Sequence, residues 1–428
     1  MSEKRKLRWM PLDNAAKIYP AARRKNWTNV FRLSATLTEP VDKEVLQSAL
    51  DVTVQRFPSL AVRLRRGAFW YYLQQLPCAP KLSPEYSYPL VWMGKKELRQ
   101  CAFRVIAEDR RIAVELFHSL TDGTGALIFL KTLVAEYIEQ KYGIRIPARD
   151  GILDRQEMPK QKELEDSFPK YAGPIQASRR ENTAWHLSGT REEDGFLHVT
   201  CFRLPVEAVL EKAHEYDASV TAFLTAVMMQ ALQQWQKELY PQHRRKPVKV
   251  LIPVNLRKLF PSQTLRNFAM YTTPEILPRL GEYSFREICQ IVKAKMAEDI
   301  TAKKMSMKIA TNVASEQLMA VRILPLFIKN AVMKAVFDAT GETKSCLSLS
   351  NLGQVRLPDN MMPYVERLDF ILGVQAASPY NCGALSFKDN LYINFIRNTK
   401  ESELEQHFYR VLRDLGIPAQ VQSNRNGQ

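Results

Sequence analysis

No stretch of this sequence reaches the roughly 18 uncharged apolar residues that a membrane-spanning helix requires, so no transmembrane segment is expected. The six cysteines, Cys78, Cys101, Cys201, Cys289, Cys346 and Cys382, have no C-x-x-C spacing. That argues against zinc ribbons and disulfide frameworks and leaves scattered buried thiols. The sequence also lacks a Gly-rich phosphate cradle, metal-ligand spacing and a fixed-period repeat, so neither a bound metal nor a solenoid is expected. The basic opening, Met1 to Trp9, runs into Pro11, Asp13 and Asn14 instead of an apolar segment. No secretory signal is visible, and a cytoplasmic location is expected.

What is present is the composition of a large folded protein: 428 residues, 46% hydrophobic and 10% aromatic. At roughly 100–200 residues per domain this means two or three domains, or one two-lobed unit. Lys and Arg number 61 against 45 Asp and Glu, a formal charge of +16. The excess is spread over short runs, Lys4/Arg5/Lys6, Arg23/Arg24/Lys25, Arg63/Arg65/Arg66 and Arg244/Arg245/Lys246. Such a balance suits anionic partners (nucleotide phosphates, acidic lipid or nucleic acid), while each single run also reads as a solvated face.

Alternation from Trp27 to Thr38 predicts a half-buried strand, and three- and four-residue spacing from Val41 to Phe57 predicts an amphipathic helix stopped by Pro58. Hairpins are expected around Gly67 (60–65 with 68–75) and around Asp109-Arg110 (101–108 with 112–117). The second runs into His118-Ser119-Leu120-Thr121-Asp122-Gly123-Thr124-Gly125 and then a helix over about 126–140. Residues 143–195 are interrupted by Pro and Gly and read as a long surface connection between two lobes. Beyond it, strands are expected at 197–204, 248–254, 345–350, 368–375, 384–387 and 391–396. Helices are expected at 205–216, from the N-cap Ser219 to Tyr240, from the Ser284/Glu287 capping box to about Ile300, at 323–337 and at 402–415. This mixture lacks the regular alternation of a doubly wound sheet and predicts an α+β fold with mainly antiparallel pairing.

His118 and Asp122 stand four apart with Gly123 next. A histidine near neutrality is the usual side chain for taking a proton from an attacking hydroxyl or amine. The pair is weakly specific: H-x-x-x-D arises by chance in about one such chain in three, and in about one in fifty with the glycine added. Its placement in a turn after a buried strand, bracketed by glycines, favours a cleft. The bland alternative is a histidine satisfied by local backbone, with Asp122 as a helix N-cap.

Further segments follow in order: Trp9-Met10-Pro11-Leu12-Asp13 before the histidine; Ile252-Pro253-Val254-Asn255-Leu256-Arg257 continuing to Leu265-Arg266-Asn267-Phe268; and Ser350-Asn351-Leu352-Gly353. Together with His118 to Gly123 this ordered set resembles the chloramphenicol acetyltransferase-like superfamily. That superfamily includes peptide-synthetase condensation domains and alcohol acetyltransferases, the latter being nearest in type. The resemblance covers nearly the whole chain. It implies two α/β lobes forming a V, here 1–175 and 196–428, with an active-site tunnel between them. It also implies His118 as general base, and Asp122 as a structural residue in a salt bridge, with Arg257 its candidate partner and Gly123 beside it. Ser350 and Asn351 match a segment near the tunnel, so either would line the site or donate to the oxyanion; Asn255 is a further candidate there.

The implied activity is transfer of an acyl group from a thioester, acyl-CoA being the expected co-substrate, to a hydroxyl or amine, with no permanently bound cofactor and no acyl-enzyme. Phe117 stands where condensation domains usually carry a second histidine, which tilts the expectation toward a soluble thioester. A condensation-type enzyme fed by a carrier protein in trans, and a non-catalytic binding protein of the same fold, stay open. A peripheral membrane or lipid contact suits the basic composition. Nucleic acid is not an expected partner: Phe69 to Tyr72, next to Arg63, Arg65 and Arg66, lies in a predicted hairpin strand whose alternate aromatics fill a core. The methionines 228, 229, 305 and 307 read as adaptable core packing.

Overall fold

Strand β2 (Val30–Leu37) is buried along nearly its whole length because both of its edges are paired and both of its faces are covered. The computed structural model describes residues 7–23, 27–178, 181–317, 323–336, 344–375 and 378–424. The basic residues Lys4, Arg5, Lys6, Arg24 and Lys25, and Phe337 at the end of an expected helix, lie outside them.

In chain order the elements that build the site are β1 (Trp9–Pro11), α1 (Ile18–Ala22), β2, α2 (Lys43–Arg56), β3 (Val62–Arg66), β4 (Tyr71–Gln75), β5 (Phe103–Glu108), β6 (Arg111–Phe117) and α3 (Gly123–Tyr142). After a long connection come β7 (His198–Pro205), α4 (Val206–Glu215), α5 (Val220–Leu239), β8 (Val248–Asn255), β9 (Ala269–Thr272), β10 (Glu275–Ile276), α6 (Phe285–Asp299), α7 (Ala302–Gln317) and α8 (Leu326–Val336). The chain then adds β11 (Leu347–Val355), β12 (Val365–Ile371), β13 (Tyr380–Phe387), β14 (Asn390–Arg397), α9 (Glu403–Asp414) and β15 (Gln420–Ser423).

Two larger sheets result. One has the order β12-β2-β6-β5, the other β10-β8-β11-β13-β14-β7-β15 with β9 also on β8; β1-β4-β3 form a small third sheet. Helices α2 and α3 cover the first sheet, while α5 and α9 pack together over the second. Pairing is largely antiparallel, but β8–β11 and β11–β13 are parallel. Parallel neighbours need long crossovers, and here α6, α7 and α8 intervene between β8 and β11 while β12 intervenes between β11 and β13. β12 leaves its neighbours in sequence and pairs with β2, Asp369 opposite Ser34, so the end of the chain completes the sheet that carries the histidine.

Several expectations need correction. The connection over 143–195 is not a surface feature throughout: Ile146, Ile152, Leu164, Phe168 and Trp185 are buried. Arg56 donates from Nη1 and Nη2 to the two oxygens of Glu163, at 2.6 and 2.7 Å. Proline and glycine stop long helices there without preventing burial. Phe69 is exposed and Trp70 lines a cavity; of that hairpin strand Leu73 is buried in the core and Tyr71 packs, partly buried, against it. Cys78 is exposed, whereas Cys201, Cys289, Cys346 and Cys382 are buried. The methionine reading holds for Met228, Met229 and Met305, which are fully buried in core clusters. The expected strand at 368–375 begins earlier and ends at Ile371, and α7 falls where no element was expected.

Candidate active site

β6 ends at Phe117 and α3 begins at Gly123, so the motif is the five-residue crossing between them. Three polar groups in that crossing are tied to distant segments. The His118 N–H donates to the Asn29 carbonyl at 2.8 Å, Ser119 Oγ to the Ala16 carbonyl at 3.1 Å, and Thr121 Oγ1 to the Leu265 carbonyl at 2.6 Å. Gly125 permits the close approach of Leu265: a Cβ there would lie 2.4 Å from the Leu265 carbonyl oxygen.

Asp122 is the N-cap of α3, its Oδ1 accepting from the Thr124 and Gly125 N–H groups at 3.1 Å each. This satisfies two of the free donors at the helix start. Its Oδ2 accepts from Arg257 Nη1 and from the Phe268 N–H, both at 2.8 Å. Arg257 also donates to the carbonyls of Thr264 and Arg266. The carboxylate is therefore both helix cap and ion-pair partner, and it fastens the motif to the 255–268 segment.

The His118 ring stacks on Tyr19 at 4.5 Å between centroids and meets Phe31 at 4.9 Å. Its Nδ1 lies 3.2 Å from Asn267 Oδ1. Burial lowers its pKa below 6.5, with its own carbonyl, the Asp122 charge and Asn267 offsetting only part of the effect. A ring kept neutral in this way is a competent proton acceptor. Burial also raises the Tyr19 pKa, with Asp13 and Asp122 adding to the effect, so that phenol stays protonated.

His118 opens on a cavity of about 850 Å³ that Asp122, Gly123, Asn255, Ser350 and Asn351 also line. The Asn255 amide is occupied, donating to Thr124 Oγ1 at 3.1 Å and accepting from the Arg257 N–H at 3.1 Å. The Asn351 amide likewise donates to Thr221 Oγ1 at 3.1 Å and accepts from the Gly353 N–H at 2.8 Å. Ser350 sits on β11 just before a register shift, with its side chain on the cavity wall. A Cβ on Gly123 would meet Leu352 Cδ2 at 2.8 Å. One wall is apolar, including Phe31, Leu352 and Phe370. The other carries Lys308, Thr311, Asn312, Ser315 and Glu316, which are three or four apart and so share one face of α7.

Sequence reasoning gave no role to Tyr19, Asp13, Asn267 or the α7 face. Asp13 and Asn267 stood in the segments that carried the resemblance, but nothing in the spacing said that they meet at His118. Among the described residues no group of three or more His, Cys, Asp or Glu is placed to hold a metal ion, and no helix is long and apolar enough to cross a membrane.

Residues 175–357 match the family described as alcohol acetyltransferase. No curated protein sequence matches the chain. Among solved structures, TRI101 of F. graminearum complexed with ethyl coenzyme A superimposes with a TM-score of 0.64 at 10% identity, over 97% of this chain and 100% of that one. TRI3 trichothecene 15-O-acetyltransferase from Fusarium sporotrichioides gives 0.60 at 9%, over 97% and 96%. The epimerization domain from the third module of tyrocidine synthetase B gives 0.61 at 13%, over 97% and 98%. Likeness at such identity is one of fold. The chain has the mixed α/β, chloramphenicol acetyltransferase-like fold that acetyltransferases and condensation domains share.

Proposed function

We propose that the protein is an acyltransferase that moves an acyl group from a thioester, in the first instance acyl-CoA, to a hydroxyl or amine. The observation that carries this reading is the half-buried, neutral imidazole of His118 opening on the cavity from a loop clamped by Asp122 and Arg257. The match to the alcohol acetyltransferase family supports it, as does a shared fold with TRI101, which has been crystallised with coenzyme A and with ethyl coenzyme A.

In the proposed reaction His118 takes the proton of the acceptor O–H or N–H as that atom bonds to the thioester carbonyl carbon. The carbonyl π pair moves onto oxygen; when it returns, the C–S bond breaks and the thiolate takes the proton from the imidazolium. Ser350, which lines the same cavity, is the assigned donor toward the oxyanion; the Asn351 and Asn255 amides each have one N–H and the oxygen engaged elsewhere. Asp122, Arg257 and Gly123 shape the loop and take no part in proton transfer. The chain divides into lobes at 1–175 and 196–428, with β12 handed from the second to the sheet of the first.

The test is free-thiol release from a panel of acyl-CoAs, acetyl to palmitoyl, with pooled alcohols and amines. Release that depends on the acceptor, with no acyl adduct in the intact mass when donor is given alone, is the expected result. Silence with every CoA donor but turnover with carrier-protein thioesters would instead establish a condensation-type enzyme, a reading favoured by the likeness to condensation domains. Ligand binding without any thiol release would leave a non-catalytic binding protein.

A further inference from the structure

Asn267 precedes β9, and its side chain reaches the motif histidine from the far segment of the chain. Its Nδ2 lies 3.0 Å from the His118 carbonyl oxygen and 3.3 Å from Asp13 Oδ2, and its Oδ1 lies 3.2 Å from His118 Nδ1. A peptide carbonyl oxygen only accepts, so the amide atom facing it is the nitrogen. The amide oxygen then faces Nδ1, and since that oxygen also only accepts, Nδ1 carries the proton. A neutral imidazole has one N–H, which leaves Nε2 with a free lone pair. Nε2 has no hydrogen-bond partner among the described residues, and the ring borders the cavity.

Asp13 holds this amide from behind. It is fully buried, its Oδ1 accepts from the Ala16 N–H at 2.8 Å, and its Oδ2 lies 3.6 Å from Arg266 Nε. Arg266 is itself anchored by the Pro11 carbonyl at 2.6 Å. Tyr19 stacks on the ring and Phe31 packs against it at a tilt, contacts that oppose a flip that would exchange its two nitrogens. Two segments that the sequence set apart, 9–13 and 265–268, thus converge on one nitrogen atom.

We infer that Asn267, backed by Asp13, is the positioning residue that keeps His118 in the Nδ1–H tautomer and so presents Nε2 as its proton-accepting atom. The tautomer is a property of the folded chain; only its consequence for turnover rests on the acyltransferase reading.

The two tautomers give different two-bond ¹⁵N–¹H patterns in ¹⁵N-histidine-labelled protein at pH 8, and the His118 pattern is the one missing from His118→Ala. The wild type should show Nδ1–H, and a folded Asn267→Ala variant should show a mixture with Nε2–H. Where acyl transfer is measurable, that variant should lose kcat about 10–10²-fold with KM changed by less than about threefold, because the base rather than substrate binding is affected. An Nε2–H ring in the wild type overturns the inference even if the variant fails to fold. An unchanged Nδ1–H ring in folded Asn267→Ala overturns it as well. A changed tautomer in protein that transfers no acyl group upholds the positioning role and removes the acyltransferase reading. Normal transfer with an unchanged tautomer in Asn267→Ala does the reverse.

Discussion

Asp122 Oδ2 and Arg257 Nη1 meet at 2.8 Å, across 135 residues of sequence, and the same carboxylate caps the helix that begins one residue later. The pair joins the motif loop to the segment after β8, so the loop that carries His118 cannot shift without breaking it. Both side chains are largely buried, and loss of one partner leaves the other desolvated and uncompensated. Asp122→Ala should therefore cost about 3–5 kcal/mol, seen as a fall in the denaturant midpoint. Asp122→Ala with Arg257→Ala should cost less than the sum of the single changes. Additive losses would show that the pair acts as two independent residues.

The two glycines on either side of Thr124 should respond differently. At Gly125 an added methyl meets a carbonyl oxygen of the backbone at 2.4 Å, and a backbone cannot step aside. Gly125→Ala should cost at least about 1–3 kcal/mol, the usual range for overpacking. At Gly123 the contact is the end of the Leu352 side chain, which can rotate. Gly123→Ala should keep near-wild-type stability and narrow the cavity, a contrast that two chemical denaturation curves would check.

The pH dependence follows from the half-buried imidazole. Only the neutral ring accepts a proton, and burial moves its pKa below 6.5. The rising limb of kcat/KM should therefore have its midpoint below pH 6.5, so the enzyme stays active into mildly acid solution. The same depressed pKa gives stability that is present above the unfolded value and lost as pH falls through the folded one. A midpoint at or above 6.5 in a pH–rate profile contradicts the assigned environment of His118.

The Arg56–Glu163 pair tests whether the segment after α3 is part of the core. Burial raises the Glu163 pKa, but its hydrogen bonds with Arg56 and the Lys160 N–H outweigh this and hold it below 4.5. Stability from this carboxylate is thus present above pH 4.5 and lost as pH falls through its folded value. Glu163→Gln should cost up to about 3–5 kcal/mol near neutrality, because the buried Arg56 guanidinium keeps, of its carboxylate contacts, only the longer one of 3.5 Å to Glu157. A cost near zero by urea unfolding would show that the segment is peripheral.

How much of this was legible follows from the kind of signal each residue leaves. β2, β6 and α2 were readable because alternation and three-to-four spacing report burial of one face within a single element. The capping box of α6, Ser284 with Glu287, was readable because it is local, and the structure has both of its hydrogen bonds. β12 was misplaced at its ends because its partner is β2, some 330 residues earlier, and no local pattern encodes that pairing. α7 was missed although Met305, Ile309 and Val313 mark its buried side, because lysines and polar residues fill the rest and its other face lines a cavity instead of solvent. At the site, His118 and Asp122 stand close in sequence and could be seen together. Asp13 and Asn267 are 254 residues apart and become neighbours only once the chain has folded.

The most direct test compares the rate of acceptor-dependent thiol release by wild-type protein and by His118→Ala, each shown to be folded, on the best acyl-CoA from the panel. The account predicts a fall of about 10²–10⁴-fold, the usual contribution of a general base. Turnover by folded His118→Ala at the wild-type rate would contradict it.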